Sequence, residues 1–351
     1  MSTFFAGKVV LVTGHTGFKG SWLVQLLKRL GARVVGLALP PEGQPNLFGA
    51  ADVARGMVSQ FGDIRVPETL FECFAAQKPE IVFHLAAQAL VRRSYREPID
   101  TFATNVMGTV HLLEACRRTP SVKAVVIVTS DKCYENREWV WGYRETDPMG
   151  GHDPYSASKG SAELVTAAYR RSFFGDFAVG VGSARAGNVI GGGDWGEDRL
   201  VPDIVRSFVA RQPIVLRNPG AIRPWQHVLE PLSGYLLLAQ KLVEQPSVYS
   251  QSWNFGPDEG EVVTVGALTE QLVDALGSSR LELVLKPSVE HETQSLRLDC
   301  SKARLKLGWA PRLTLSQTVQ MTGSWYRSYF NDPSSAGAML DQQIEEYLGG
   351  A

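Results

Sequence analysis

A short apolar run, Lys8-Val9-Val10-Leu11-Val12, passes directly into Thr13-Gly14-His15-Thr16-Gly17-Phe18-Lys19-Gly20, and that loop opens a stretch with helical apolar spacing, Ser21–Leu30. A strand that turns through three regularly spaced glycines into a helix is the opening of a dinucleotide-binding βαβ unit. The spacing is GxxGxxG rather than GxGxxG, but the physics is shared. Gly14 permits a tight turn, Gly17 lets backbone amides approach a pyrophosphate, and Gly20 lets helix and strand pack closely. The helix N-terminus then favours the phosphates. Gly14, His15, Gly17, Phe18, Lys19 and Gly20 are therefore the first candidate cofactor contacts, with Lys19 and His15 offering charge near a phosphate.

The rest of the amino-terminal half repeats the alternation. Apolar, β-branched runs at Arg33–Leu39, Ile81–Ala86, Val122–Ser130 and Ala178–Arg185 alternate with helical spacing at Glu68–Ala76, Ile99–Arg117 and Pro154–Phe173. Continuous apolar runs mark strands covered on both faces, so the pattern predicts an α/β, doubly wound parallel Rossmann sheet with a smaller C-terminal substrate-binding domain. After Gly191 the texture changes, with Gly, Pro, Trp and Arg frequent through Trp225. A helix over Leu232–Leu242, a strand over Ser252–Phe255 and a helix near Gln342–Tyr347 follow. The expected division is a cofactor domain over residues 1–188 with a return near 227–256, and a substrate region over 189–226 and 257–351.

Composition removes several classes. The formal net charge of −1 over 351 residues leaves no basic excess for a nucleic-acid backbone. No apolar run approaches the length of a bilayer span, and the first residues lack a signal-peptide pattern, so a cytoplasmic protein with no membrane partner is expected. Cys73, Cys116, Cys133 and Cys300 are scattered, without CxxC or Cys/His spacing, which points to neither a disulfide framework nor a metal site.

A second motif carries chemistry. Tyr155-Ser156-Ala157-Ser158-Lys159 begins a helix, where positions i and i+4 share a face. A phenol titrates at about 10 and is a poor base at neutral pH. An adjacent ammonium stabilises the phenolate and lowers that value, so Tyr155 beside Lys159 can take a proton from a sugar hydroxyl. Thr129-Ser130 closes the preceding strand, and the Ser130 hydroxyl can bond the same substrate group. Other positions leave alternatives open. After the second strand, Leu39-Pro40-Pro41-Glu42 replaces the acidic residue that would hold a ribose, so NAD and NADP are both open. Asp63 and Ile64, after Gly62, form either an adenine contact or an ordinary turn.

The glycine loop, Ser130 and the YxxxK motif together resemble the extended short-chain dehydrogenase/reductases over most of the chain. The resemblance implies Leu85, Ala86, Ala87 and Gln88 as a cofactor-facing strand end and Asn105 as a supporting polar residue. It also implies a homodimer paired through Ile99–Arg117 and Pro154–Phe173. Three stretches narrow the branch: Gly14–Trp22, Thr129-Ser130-Asp131-Lys132-Cys133-Tyr134, and Arg223-Pro224-Trp225-Gln226-His227-Val228. These are similar to the CDP-glucose 4,6-dehydratases, where Asp131-Lys132 stands in place of the Asp-Glu of the TDP-glucose enzymes. That likeness implies a hydro-lyase of deoxysugar (O-antigen type) biosynthesis that oxidises C4 of CDP-glucose, eliminates water across C5 and C6, and returns hydride to C6 without a metal. Asp131 would donate to the leaving hydroxyl. Lys132 would take the C5 proton, provided that burial beside Lys159 pushes its ammonium below the usual value of about 10.4.

Ala186-Gly187-Asn188 resembles the segment that meets the sugar diphosphate, with Asn188 a substrate contact. Arg199, Arg223 and Arg297 are candidates for the phosphates, because a guanidinium fork makes paired bonds to phosphate oxygens. Trp225 either walls the nucleotide or packs in the core. Gln88 and Arg92 lie just beyond a strand end, where ligands sit in open α/β sheets, and His84 packs within that strand. The alternative is another nucleotide-sugar dehydratase or epimerase of the same family.

Overall fold

The computed structural model describes residues 3–176, 178–258, 263–277, 282–286 and 295–349. The amino-terminal part runs β1 (Val9–Thr13), α1 (Phe18–Arg29), β2 (Arg33–Ala38), α2 (Leu47–Ala50), β3 (Val58–Phe61), α3 (Pro67–Gln77), β4 (Ile81–His84), α4 (Val91–Arg96) and α5 (Pro98–Phe102). A π-helical turn (Ala103–Met107), α6 (Gly108–Arg117), β5 (Ala124–Val128), α7 (Pro154–Phe173) and β6 (Gly180–Ala186) follow. The remainder comprises β7 (Val189–Ile190), α8 (Leu200–Ala210), β8 (Ile214–Leu216), β9 (Ile222–Arg223), β10 (Gln226–His227), α9 (Leu229–Glu244), α10 (Pro246–Tyr249) and β11 (Ser252–Phe255). It ends with β12 (Val263–Thr264), α11 (Val265–Ala275), β13 (Leu283–Leu285), α12 (Leu315–Asn331) and α13 (Ala336–Gly349).

Seven strands form one parallel sheet in the order β11-β6-β5-β4-β1-β2-β3. The order reverses between β1 and β4, and a crevice opens at the carboxyl ends of the strands there. Side chains alternate across the sheet. Val10 and Val12 pack on the face covered by α1 and α9, whereas Leu11 joins Val35, Leu37, Leu112 and Leu113 on the other. Coverage on both sides explains why β1, β4, β5 and β6 read as unbroken apolar runs.

Two local departures from the expected elements matter for the site. The helix expected over Ile99–Arg117 is broken into α5, the π turn and α6. In the π turn the Asn105 side chain accepts from the Gln88 amide at 2.9 Å and donates to the Gln88 carbonyl at 3.0 Å and to Ser158 Oγ at 2.8 Å. Those bonds tie the end of β4 to the start of α7. The segment after β7 is also pinned. Trp22 Nε1 donates to the Gly192 carbonyl at 3.0 Å, and a Cβ on Gly192 would lie 2.0 Å from the Trp325 ring. Only glycine fits between these two indoles, and the clamp aims Asp194 and Arg199 toward the crevice.

Candidate active site

The crevice is a cleft of about 2080 Å3. That exceeds the roughly 300–1,000 Å3 of a pocket for one small molecule and leaves room for a dinucleotide and a second ligand. One half is walled by the glycine loop and the ends of β2 to β5. The other is walled by Ala186–Ile190, the start of α8, β8, Arg223 and Trp225.

The first half is built from backbone. Gly14 has a positive φ of 75°, and a Cβ there would strike the Ala86 amide nitrogen at 2.7 Å. A Cβ on Gly20 would meet the Gly14 carbonyl oxygen at 2.1 Å, so the loop folds flat onto the first turn of α1. Gly17 is the N-cap of α1, and no side chain caps the helix. Its first amides are left for an anion, the cradle that a dinucleotide pyrophosphate needs. Gly17, Phe18, Lys19, Asp63, Ile64, Leu85, Ala86 and Ala87 all line this half. The Arg65 guanidinium bonds Asp63 and holds its carboxyl below the ordinary value. Lys19 is half-buried, and burial, with Arg199 and Lys159 nearby, lowers its ammonium to about 8.

Among the sequence candidates for this half, His15 and Asn105 do not line the cleft, whereas Gln88 does. His15 lies over Gly36 of β2, and its Nε2 meets Ser59 Oγ at 2.8 Å. Burial lowers it to about 4, so it brings no charge to a phosphate. Asn105 is buried in the π turn and positions loops rather than lining the cleft. The Gln88 side chain is used up locally, donating to Thr101 Oγ1 at 2.9 Å and accepting from the Leu90 amide at 2.6 Å. His84 stays within the sheet, its Nδ1 2.7 Å from Thr13 Oγ1.

The reactive groups meet where the halves join. Asp153 caps α7 by accepting from Ser156, Pro154 sits in its first turn, and Tyr155 and Lys159 follow one turn apart. Ser130 Oγ donates to Asp131 Oδ1 at 2.9 Å and accepts from the Lys132 amide at 3.2 Å. Asp131 is only 4% exposed, and burial raises its carboxyl above the ordinary 3.8. The phenol does not behave as the motif alone implies. Burial pushes Tyr155 up to about 12, opposed by the Ser130 hydrogen bond. The Lys159 ammonium is turned to the Val128 carbonyl at 3.3 Å, and burial lowers it to about 8. Lys132 is half-buried at the cleft wall, which Lys159 also lines.

In the second half, Arg199 donates to both Asp194 oxygens at 3.1 and 3.2 Å, and Arg92 reaches Asp198 across the cleft at 3.6 Å. Asn188, Arg223 and Trp225 line the same wall. Arg297 does not; its carbonyl accepts from the Tyr143 amide at 2.8 Å, and it braces the loop after β5.

The chain matches the family model described as GDP-mannose 4,6 dehydratase over residues 11–322. It belongs to the GDP-mannose 4,6 dehydratase family. Within that dehydratase family it is 53% identical to a CDP-glucose 4,6-dehydratase of Salmonella typhimurium, over 93% of this chain and 92% of the relative. A dTDP-glucose 4,6-dehydratase of Neisseria gonorrhoeae is 28% identical over 91% of this chain and 95% of the relative. Among solved structures, a Thermus thermophilus UDP-glucose 4-epimerase in complex with NAD superposes with a TM-score of 0.79 at 26% identity, covering 91% of this chain and 99% of that one.

Sequence reasoning about this dehydratase missed the charges before α8, on its cleft face and after β8. Asp194, Asp203, Arg206 and Arg217 all line the second half. The one available signal was the i, i+4 spacing of Arg199 and Asp203, which places both on one helical face.

Proposed function

We propose that this dehydratase converts CDP-glucose to CDP-4-keto-6-deoxyglucose and water with bound NAD. The observation that carries the reaction type is the buried Asp131, bonded to Ser130 and followed by Lys132, at the cleft wall shared with Tyr155. The nucleotide and sugar rest on the 53% identical relative, and the cofactor on the NAD held by the epimerase. An epimerase reading leaves Asp131 and Lys132 without a task.

NAD, when bound, supplies a hydride acceptor for C4 and, once reduced, a donor for C6. Tyr155 takes the proton of the 4-hydroxyl, while the Ser130 hydroxyl holds the same oxygen. Lys159, lowered to about 8 by burial, lies one helical turn after Tyr155 on the same face of α7 and supplies the positive charge that favours the phenolate. Once C4 is a ketone, the C5 proton is acidic, and the Lys132 amine, acting from its neutral form, removes it. Asp131, raised by burial and so able to keep a proton, donates to the departing 6-hydroxyl. Arg199 and Arg223 hold the diphosphate, and Trp225 walls the nucleotide.

In this reading residues 1–188, with the return near 227–256, hold NAD, and residues 189–226 and 257–351 hold the sugar nucleotide. A homodimer is the minimum unit, supported by the apolar side chains that α5, the π turn and α7 expose. Four buried, unpaired cysteines fit a reducing cytoplasm. Incubation with CDP-glucose and NAD should yield a 4-keto sugar, seen by its absorbance in alkali. Product from dTDP-glucose, UDP-glucose or GDP-mannose but not from CDP-glucose would overturn the assignment.

A further inference from the structure

The far end of the cleft carries charge that the reaction itself does not use. Asp203 lies one turn beyond Arg199 on the cleft face of α8. Its Oδ1 accepts from Arg206 Nη2 at 2.5 Å, and Arg206 also donates to the Trp195 and Gly196 carbonyls at 3.2 and 3.1 Å. Arg206 therefore fixes the carboxylate plane from behind. The other oxygen, Oδ2, lies 3.7 Å from Arg217 Nη2, beyond hydrogen-bonding range. Arg217 follows β8 and also reaches Asp198 Oδ1 at 3.5 Å. A fixed acceptor and a fork of donors thus stand side by side at the rim, over an apolar floor of Val205, Ile214 and Leu216.

The position of this pair follows from the two halves of the cleft. A sugar that reacts at Tyr155, with the dinucleotide on the glycine-loop side, must run its diphosphate the other way. Its base then reaches α8 and β8. The edge of cytosine presents an amino donor at N4 beside acceptors at N3 and O2. Uracil and thymine present the reverse, an acceptor at O4 beside a donor at N3.

We propose that Asp203 and Arg217 read that edge, Asp203 Oδ2 accepting the N4 amino group and the Arg217 guanidinium donating to N3. The inference rests on the CDP-glucose reading above and goes beyond it by naming the residues that select the base. With uracil in place, the carboxylate would face a carbonyl oxygen, and both protein groups would lose their partners; such mismatches reject a ligand strongly.

The test is the affinity of the NAD-loaded enzyme for CDP and for UDP by titration calorimetry, together with kcat/KM for CDP-glucose and UDP-glucose. For Asp203→Asn the CDP-to-UDP affinity ratio should fall by about 10- to 100-fold, with CDP weakened and UDP unchanged or tightened. Arg217→Gln, measured in parallel, should lower the same ratio and secures the result if Asp203→Asn does not fold. An unchanged ratio, or equal losses for both nucleotides, overturns the inference. The wild-type ratio tests the underlying reading separately: a wild type that prefers UDP sinks the CDP-glucose assignment and this inference together, whereas a CDP preference that survives in both variants sinks this inference alone.

Discussion

Tyr155 works from a harder starting point than its motif implies. Its phenol is held up at about 12 by burial, so a proton leaves it readily only when positive charge and a bonded hydroxyl stabilise the phenolate. Tyr155→Phe keeps the ring that packs there and removes the acceptor. C4 oxidation in that variant should fall by about 10²–10⁴-fold with an unchanged melting temperature, read as NADH formed in a single turnover. A variant that forms NADH at the normal rate would remove Tyr155 from the reaction. Lys132 separates the later steps. Lys132→Ala should still oxidise C4, so bound NADH appears, while deuterium uptake at C5 from solvent falls sharply. Normal C5 exchange would show that another group is the base.

At the scale of elements, the catalytic strand end stands on a buried ion pair. Glu163 of α7 meets Arg185 of β6 at 2.8 Å, and both are buried. Thr129 Oγ1 and Ser183 Oγ donate to the carboxylate at 2.6 and 2.7 Å, and Arg185 reaches the Tyr134 hydroxyl at 2.7 Å. The pair therefore joins α7, β5 and β6 directly behind Ser130 and Asp131. Burial pushes Glu163 up, but Arg185 and the hydroxyl donors outweigh it and hold the carboxyl below 4.5. A depressed folded value means that this contribution is complete above the unfolded value and is lost as pH falls through the folded one. Glu163→Gln should cost about 3–5 kcal/mol at pH 7 in a urea titration, because Arg185 is left buried without its counter-charge. Between pH 7 and 3 its stability should fall less steeply than that of the wild type. Parallel acid profiles would refute the role given to the pair.

The same elements show what the sequence makes legible. The glycine loop and the parallel strands are readable because both follow from local spacing and two-sided burial. Tyr155 and Lys159 are readable because Asp153 and Pro154 start the helix just before them. His15 is not, since its direction depends on Gly36 of a neighbouring strand. Gln88 looks uncommitted in sequence because Thr101 of α5, which takes its side-chain amide, and Asn105 of the π turn, which takes its backbone groups, are brought to it by a break in the helix that spacing does not announce. Asp203 and Arg217 acquire meaning only once α8 and β8 are folded against each other.

Among the described residues, the face formed by α5, the π turn and α7 exposes a group of large apolar side chains. Ile99 is 85% exposed and Leu164 62%, with Phe102 and Met107 alongside. An apolar face of this kind fits the homodimer proposed above. Ile99→Asp should weaken dimerisation by at least about tenfold in sedimentation while leaving the monomer folded, since the side chain makes no core contact. Wild-type protein that sediments as a monomer at micromolar concentration would refute the dimer.

The sheet also has a history written into its strand order. Strand β6 ends at Ala186, yet its outer neighbour β11 begins only at Ser252. On a ribosome adding about 5–20 residues per second, β6 is an open edge for several seconds while the second half of the cleft is synthesised. Its backbone groups are then a template for any passing strand. The polypeptide is most vulnerable to aggregation in that interval, and slowing translation between codons 187 and 252 should lower the soluble yield more than the same delay after codon 255.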